Sequence, residues 1–402
     1  MYSSISQFEP LLPQDPKKVL HNLALDVLRK SARLCGMLHP ITHQALVDVV
    51  RTMNCYYSNL IEGHYTFPVD IERALKNDYD TDPQKRDLQH ESVAHIAVQK
   101  MIEKRLHEDP AVKICQPDFL RWIHKEFFDR LPASMRYVKG NNGSTEKIIP
   151  GEFRKRDVII GRHLCPTASS LEHFMQRFAK VYEAPGDSLW KIVAAAAAHH
   201  RLLWIHPFLD GNGRVARLFT DAFLLQAQVD GYGIWMISRG LARSKEQYKQ
   251  NLALADAPRK GDLDGRGNLS DAGLNEFCQF FLQTASDQIS FMSELLNLND
   301  MQQRILGHAE YLAGLGKIKR EGGLVLREVF LRGEVKRGEI PRITGKPERS
   351  ARRILKDLLD HNLVASDTEK SPVRICFSMD AVEHYFPRLF SAPPANTFHL
   401  DG

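Results

Sequence analysis

One segment, residues 206–214 with the sequence HPFLDGNGR, limits the possible folds of this 402-residue chain more than any other. An alanine-rich stretch of strong helix formers runs up to Ile205. Pro207 lacks a backbone donor and disfavours helical geometry in the residue before it, so this helix is predicted to stop at His206. Apolar residues return at helical spacing after Gly213, where a second helix is predicted to begin. The chain must therefore form a helix–loop–helix around a short loop.

The loop contains residues suited to binding phosphate. Gly211 and Gly213 let the backbone approach a ligand closely. The free amides at the start of the following helix favour a bound anion, because unpaired N–H groups and the helix dipole act together there. Asp210 adds a hard oxygen ligand, which suits a magnesium ion shared with substrate phosphates. This loop is therefore a candidate phosphate site.

Three further side chains complete a candidate site for group transfer. Arg214 and Arg217 lie one helical turn apart, and their forked donors are suited to phosphate oxygens. His206 stands at the other end of the loop, where an imidazole can take a proton from a hydroxyl near neutral pH. The alternative is an ordinary helix–loop–helix whose polar residues only cap helix ends, but capping needs one or two such residues and not the whole set.

Residues 206–217 match every fixed position of the pattern HPFxDGNGRxxR, and on these residues the chain resembles the Fic (filamentation induced by cAMP) family. The resemblance implies a mainly α fold, in which a Fic-type helical bundle carries a short β-hairpin flap. It also implies an enzyme that uses ATP and Mg²⁺ and moves AMP onto a Tyr, Thr or Ser hydroxyl of a target protein and of itself. The implied roles are general base for His206, Mg²⁺ ligand for Asp210, anion hole for Gly211, Asn212 and Gly213, phosphate binding for Arg214 and Arg217, and anchoring of the loop in the core for Phe208.

A second motif lies upstream, where residues 58–63 read SNLIEG and match the pattern [S/T]xxxE[G/N]. Alone, this hexapeptide would be an ordinary helix end terminated by Gly63. Beside the first motif, it resembles the inhibitory motif of the same family, with Ser58 and Glu62 at its fixed positions. The resemblance implies that Glu62 pairs with Arg217, so that ATP cannot place its γ-phosphate there. A glutamate can compete with a phosphate for one arginine because both accept two hydrogen bonds.

Two further segments, a predicted hairpin and the region around Tyr248, are candidates for contact with the substrates. Val158, Ile159, Ile160 and Gly161 form a β-branched run bounded by turn residues, which predicts a hairpin; the simplest alternative is a plain surface hairpin. The resemblance implies that this run is a flap that contacts the nucleotide and adds the target's backbone as a strand. Tyr248 resembles the first of two base-pocket tyrosines. The family's second tyrosine and its frequent asparagine are replaced by Lys249 and Asp256, which weakens the expectation of ATP without removing it.

The domain prediction has three parts: an N-terminal helical region over 1–115 that carries the inhibitory motif, a catalytic core over 116–295, and a winged-helix (α+β) domain over 301–392. A helix starting at Pro347 has cationic residues off its apolar face. Nine Lys or Arg face five Asp or Glu between Arg332 and Asp360. Such a helix suits a DNA major groove, and the alternative is a solvated helix in a module that binds protein or the chain's own core.

Composition agrees with a cytoplasmic globular protein. The chain is 43% hydrophobic and 26% charged, with a formal net charge of +5, which by itself compels neither a nucleic-acid nor a membrane partner. No 18-residue apolar run or signal peptide is visible, and six dispersed cysteines are typical of free thiols. Two function classes are left open: an enzyme restrained by Glu62, and a DNA-binding regulator whose core senses nucleotide with little turnover. A homodimer is left open too.

Overall fold

The computed structural model describes residues 2–139, 145–183 and 186–390. Residue contacts divide the chain into two compact units. The first unit contains the chain up to Cys35 together with Asn54–Ser290, and the second contains Gly36–Met53 together with the chain from Phe291 onward. The division differs from the predicted regions, because residues 54–115 share a unit with residues 116–290. The SNLIEG segment and the HPFLDGNGR loop therefore belong to one compact unit.

The first unit is mainly helical, as predicted, and its sheets are two short antiparallel hairpins. The hairpins are β1 (Tyr137–Lys139) with β2 (Thr145–Lys147), and β3 (Ile159–Ile160) with β4 (His163–Leu164). The helices that build the unit in whole or in part are α1 (Val19–Cys35), α2 (Pro40–Glu62), α3 (Pro68–Leu75), α4 (Pro83–Glu108), α5 (Pro117–Asp129), α6 (Leu171–Tyr182), α7 (Ser188–Ile205), α8 (Asn212–Gln226), α9 (Ile237–Arg243), α10 (Lys245–Asp256) and α11 (Asp271–Leu295).

Helix α7 forms the centre of the first unit. The Asp187 side chain caps its start and accepts hydrogen bonds from the amides of Leu189 and Trp190, both at 2.9 Å. The alanines from 194 to 198 are completely buried, so neighbouring helices pack closely on every side of α7. The helix ends at Ile205. The predicted end of this helix before Pro207 is therefore confirmed.

Helix α8 begins slightly earlier than predicted, at Asn212 and not after Gly213. Gly211 caps it in a left-handed conformation (φ 78°), and the Gly211 carbonyl accepts the hydrogen bond from the Val215 amide at 2.9 Å. The Asn212 side chain accepts from the Phe208 amide and donates to the Phe208 carbonyl, both at 2.9 Å. These two bonds close the loop on itself, which lets the first helical turn start at Asn212.

The predicted hairpin at residues 158–161 is present as β3 and β4. Ile159 pairs with Leu164 and Ile160 with His163, and Gly161 turns the chain with φ 58°. Ile159 and Ile160 are unusually exposed to solvent for isoleucine, with exposures of 56% and 46%. Two residues per strand give a hairpin little stability of its own, so it depends on its attachment to the unit.

The second unit combines helices with a small antiparallel sheet, in the strand order β5–β7–β6. This agrees with the predicted mixture of helix and strand. The assignment of this region as a winged helix stays a prediction. Residues 391–392 of the predicted domain lie outside the described residues. No helix in the described ranges is long and apolar enough to span a membrane. The elements are α12 (Leu298–Gly314), α13 (Gly322–Arg332), β5 (Glu334–Val335), α14 (Ile340–Thr344), α15 (Glu348–Asp360), β6 (Val364–Ala365), β7 (Val373–Ile375) and α16 (Val382–Tyr385).

Candidate active site

His206 lies directly after α7 in a left-handed backbone conformation (φ 50°, ψ 61°), which is uncommon for a residue other than glycine. Burial lowers the pKa of its imidazole to about 4, and the positive charges of Arg154 and His163 act in the same direction. The ring is therefore neutral near physiological pH. A neutral imidazole has a free nitrogen lone pair, so it can accept a proton from a hydroxyl.

Arg154 holds His206 in this conformation. Its guanidinium is buried and donates hydrogen bonds to four carbonyl oxygens: His206 at 2.8 Å, Arg156 at 2.8 Å, Pro166 at 2.6 Å and Ile205 at 3.5 Å. The Arg154 amide also donates to the Pro207 carbonyl at 2.9 Å. Arg156 and Pro166 flank the β3–β4 hairpin, so one side chain ties both ends of the hairpin to the loop. The sequence reasoning missed this role, although Arg154 closes the GEFR run just before the hairpin.

Aromatic packing fixes the middle of the loop. Phe208 is completely buried and stacks on the His124 ring, with the ring centroids 4.0 Å apart and the planes 7° apart. His124 accepts a hydrogen bond from the Gly151 amide at 2.9 Å. A Cβ atom at Gly211 would lie 2.7 Å from the Phe128 ring, so only glycine fits there. The loop that carries Asp210 is thus held from both sides before any ligand arrives.

The structure brings Glu62 and Arg217 together, as the resemblance implied, and adds Ser58 as a further partner of Arg217. Arg217 is 2% exposed, and its Nη2 donates to Glu62 Oε1 at 2.5 Å while its Nε donates to Ser58 Oγ at 2.8 Å. Burial alone would raise the pKa of the Glu62 carboxyl, but the charge and hydrogen bond of Arg217 bring it below its usual value. Glu62 is therefore an ionised partner of Arg217.

The Glu62 carboxylate also occupies the space above the first turn of α8. A Cβ atom placed on Gly213 would lie 2.1 Å from Glu62 Oε1, which means that the carboxylate rests against the helix start itself. The first-turn amides of a helix are those that attract anions. Glu62 thus lies close to both the start of α8 and Arg217.

Arg214 has a carboxylate partner of its own, which the sequence reasoning did not find. Its Nη1 lies 2.9 Å from Glu91 Oε1 and its Nη2 lies 3.7 Å from Asp210, while the guanidinium stands 4.9 Å from the centre of the Phe127 ring. Glu91 also hydrogen-bonds to His64 Nδ1 at 2.6 Å. Burial would raise the pKa of Glu91, but Arg214 and His64 lower it to about 2. Both arginines of the motif are therefore paired with carboxylates.

The predicted magnesium ligand fits a site that is completed by a substrate. Asp210 is 48% exposed, at the open end of the loop. Among the described residues, no group of three or more His, Cys, Asp or Glu side chains is arranged to hold a metal ion. Magnesium commonly binds through one or two carboxylates, water and substrate phosphates, without a full protein cage. A single exposed carboxylate beside an anion-binding helix start is compatible with that mode.

Of the residues tied to the base pocket by the resemblance, Tyr248 lies in a buried network, whereas Lys249 is exposed. Tyr248 is 3% exposed, and its hydroxyl lies 2.7 Å from His199 Nε2, while His199 Nδ1 lies 2.7 Å from the Thr220 hydroxyl. His199 and its neighbour His200 are both buried. Asp256 lies 3.1 Å from His200 and 3.8 Å from His163 of β4, so its carboxylate links α7 to the hairpin.

Comparisons with known proteins agree with the resemblance of the HPFLDGNGR loop to the Fic family. Residues 114–224 match the model of the Fic/DOC family. The chain is similar to the protein adenylyltransferase Fic of Drosophila mojavensis, with 37% identity over 39% of this chain and 28% of that protein. Its match to the protein of the same name from Drosophila melanogaster is 36% identical over 39% of this chain and 29% of that protein. The aligned part thus spans less than a third of these relatives.

Solved structures show the same fold. A Fic family protein from Desulfovibrio desulfuricans aligns with a TM-score of 0.51 and 16% identity, covering 91% of this chain and 98% of that one. Fic-1 of Caenorhabditis elegans aligns with a TM-score of 0.52 and 15% identity, covering 69% and 72%. The chain therefore carries a Fic domain in a mainly helical fold and is distantly related to Fic protein adenylyltransferases.

Proposed function

We propose that the protein is a protein adenylyltransferase, which moves AMP from ATP onto a Tyr, Thr or Ser hydroxyl of a target protein and of itself. The observation that carries this proposal is the single preorganised segment in which a neutral His206, an exposed Asp210 and the start of α8 stand together. Its distant relatives named protein adenylyltransferases support the same activity.

In this proposal the ATP phosphates lie at the start of α8, against the amides of Gly211, Asn212 and Gly213, with Arg214 and Arg217 on the outer phosphate oxygens. His206 accepts the proton of the target hydroxyl as that oxygen bonds to the α-phosphorus, and the bond to the β-phosphate breaks to release pyrophosphate. A magnesium ion held by Asp210 would neutralise phosphate charge in this reaction. The chain's main contribution is to fix the positions of these groups.

The β3–β4 hairpin, with Val158 to Gly161 on its first arm, would bind the nucleotide and the target. Its short strands offer backbone groups to which an extended peptide can add as a strand. The open side chains of Ile159 and Ile160 supply apolar surface beside those groups. Because Arg154 ties this hairpin to the His206 carbonyl, a target hydroxyl aligned by the hairpin would also be aligned with the base.

The resting protein is proposed to be restrained by Glu62. Its carboxylate takes the Nη2 donor of Arg217 at 2.5 Å and lies over the helix start that phosphate would occupy. Ser58 takes the Nε donor of the same guanidinium at 2.8 Å, which fixes its orientation. ATP must displace an ionised glutamate to place its γ-phosphate, so productive binding is disfavoured while the pair is intact.

The test is the rate at which AMP from labelled ATP and magnesium becomes attached to the protein and to an added lysate. We expect Glu62→Gly to label at least about tenfold faster than wild type, since each 1.4 kcal/mol of restored binding is a factor of ten. His206→Ala should label at background. Glu108→Gly is the matched control, because Glu108 also ends a long helix but lies at the surface in an exposed ion pair with Lys104.

Equal labelling by wild type and Glu62→Gly would refute the restraint. Equal labelling by Glu62→Gly and by the double variant Glu62→Gly/His206→Ala would refute the proposed base. If no variant becomes labelled while ATP still binds and melting curves show folded protein, the nucleotide-sensing regulator is favoured over the enzyme.

A further inference from the structure

The second unit contains a helix–turn–helix. Helix α14 ends at Thr344, Gly345 turns the chain in a left-handed conformation (φ 65°), and Pro347 leads directly into α15. One face of α15 is anchored in the core of the unit, because Ala351, Ile354 and Leu358 are buried. The orientation of α15 within its unit is therefore fixed, and its opposite face is left to solvent.

That opposite face carries a cationic stripe, defined as Arg349, Arg352, Arg353 and Lys356. The four residues recur at intervals of three and four, so they share one side of the helix, and all are exposed. Arg352 pairs with Glu348 at 3.0 Å, both being largely in solvent. Across the described part of the chain, the other three make no ion pair within 4.0 Å.

The connection between β6 and β7 lies beside this helix. Arg337 donates hydrogen bonds to the carbonyls of Ser371 at 3.1 Å and Thr368 at 3.4 Å, which hold the connection against the helix pair. A cleft of about 560 Å³ lies between these elements, and its lining includes Arg337, Arg352 and Lys356. Glu348 and Glu369 also line it, so its charges are mixed, whereas Arg349 and Arg353 of the stripe do not line the cleft.

The dimensions and charge of this surface fit a DNA duplex. A 13-residue helix is roughly 20 Å long, and the major groove, about 12 Å wide, admits one helix. The three stripe residues without a carboxylate partner can neutralise phosphates at little cost, because none of them has an ion pair to break. The major groove of A-form RNA is too deep and narrow to admit such a helix.

We propose that α15 binds double-stranded DNA in its major groove, with the cationic stripe on the backbone phosphates and the β6–β7 connection beside the adjacent backbone. The first turn of α15 then lies nearest the base edges, where Ser350 is exposed. This activity is separate from nucleotide transfer by the Fic domain and does not depend on it.

The test is fluorescence anisotropy of a labelled, mixed-sequence DNA duplex titrated with the full chain over a salt series. Replacing Arg349, Arg353 and Lys356 together by alanine should weaken binding at low salt by at least about thirtyfold and reduce the salt slope by about 2.7. The matched control replaces Lys317, Lys319 and Arg320 by alanine. This removes the same number of positive charges from the exposed α12–α13 connection of the same unit. The control should stay within about twofold of wild type.

The proposal is overturned if the wild-type chain shows no salt-sensitive binding at low salt, or if the control weakens binding as much as the stripe variant. Equal affinity for an RNA duplex of the same sequence also overturns it, because insertion of α15 into a major groove would then be unnecessary. If the triple variant loses its helical circular dichroism, Arg353→Gln replaces it, with an expected loss of about threefold or more and a slope change near 0.9.

Discussion

Two helices of this protein carry arginines at helical spacing, and they use them in opposite ways. In α8, Arg214 and Arg217 are 6% and 2% exposed, and a carboxylate lies within 2.9 Å of each. In α15, the cationic stripe is exposed, and three of its four members make no ion pair among the described residues. Burial would lower the pKa of the Arg214 guanidinium, yet Glu91, Asp210 and Glu62 together raise it. The pairing, more than the residue type, distinguishes the two sites.

The contrast shows that a buried arginine and an exposed arginine differ in what a ligand must displace in order to bind. A buried arginine must have a counter-ion while no substrate is bound, since an unpaired buried charge is costly. That counter-ion can become a competitor, as proposed for Glu62, or a permanent support, as the Glu91 contacts indicate. An exposed arginine is already solvated, so a polyanion can recruit it without displacing a protein group.

The largest effect expected from this contrast is on stability. Glu91→Ala removes the carboxylate from a buried Arg214 and also the hydrogen-bond partner of His64, so we expect the free energy of unfolding to fall by about 3–5 kcal/mol. Glu348→Ala removes the exposed partner of Arg352 and should cost less than about 0.5 kcal/mol. Denaturant unfolding followed by circular dichroism measures both. Similar losses for the two variants would remove the distinction between the sites.

The second prediction concerns pH and is best measured in the Glu62→Gly background, where activity is not restrained. Because the pKa of His206 is about 4, kcat/KM should stay level on acidification to about pH 5 and fall below it. Arg154→Met removes a positive neighbour, so the pKa of His206 should rise and the fall should begin at higher pH. Arg154→Lys keeps the charge and should leave the fall near its original position. A fall centred at pH 6.5 before any change at Arg154 would contradict a buried, neutral base.

The smallest expected effect is that of salt on inhibition. Raising salt from about 50 to 200 mM should weaken DNA binding by roughly a hundredfold if all four stripe residues contact phosphates. The ratio of labelling rates between Glu62→Gly and wild type should change by less than about twofold over the same range, because a buried pair is screened much less than an exposed one. A labelling ratio that falls in parallel with DNA affinity would show that the Glu62–Arg217 pair behaves as a surface contact.

The features that could be predicted from the sequence are those whose residues are neighbours along the chain. The loop between α7 and α8 is contiguous in sequence, so its helix ends, Pro207 and glycines were sufficient to predict its local geometry. The hairpin at Val158–Gly161 was likewise a local pattern. The contact of Glu62 with Arg217 came only from family resemblance, because nothing in spacing alone brings α2 to α8.

The features that could not be predicted from the sequence depend on contacts between residues that are far apart along the chain. In the sequence, Glu91 resembles any other charged residue of a long helix, and nothing around it identifies Arg214 as its partner. Arg154 is one of many arginines, and its importance comes from the carbonyl groups that surround it after folding. Residues 36–53 group with the C-terminal part of the chain, which no composition shift in the sequence indicates.

The central claim is that a complete transfer site is present and that Glu62 restrains it. Mass spectrometry of purified protein after incubation with ATP and magnesium tests this most directly, by comparing wild type, Glu62→Gly and the double variant Glu62→Gly/His206→Ala. We expect AMP-modified peptides to be abundant in Glu62→Gly, scarce in wild type and absent from the double variant. AMP-modified peptides that are equally abundant in all three proteins, or missing from folded Glu62→Gly that still binds ATP, would contradict the central claim.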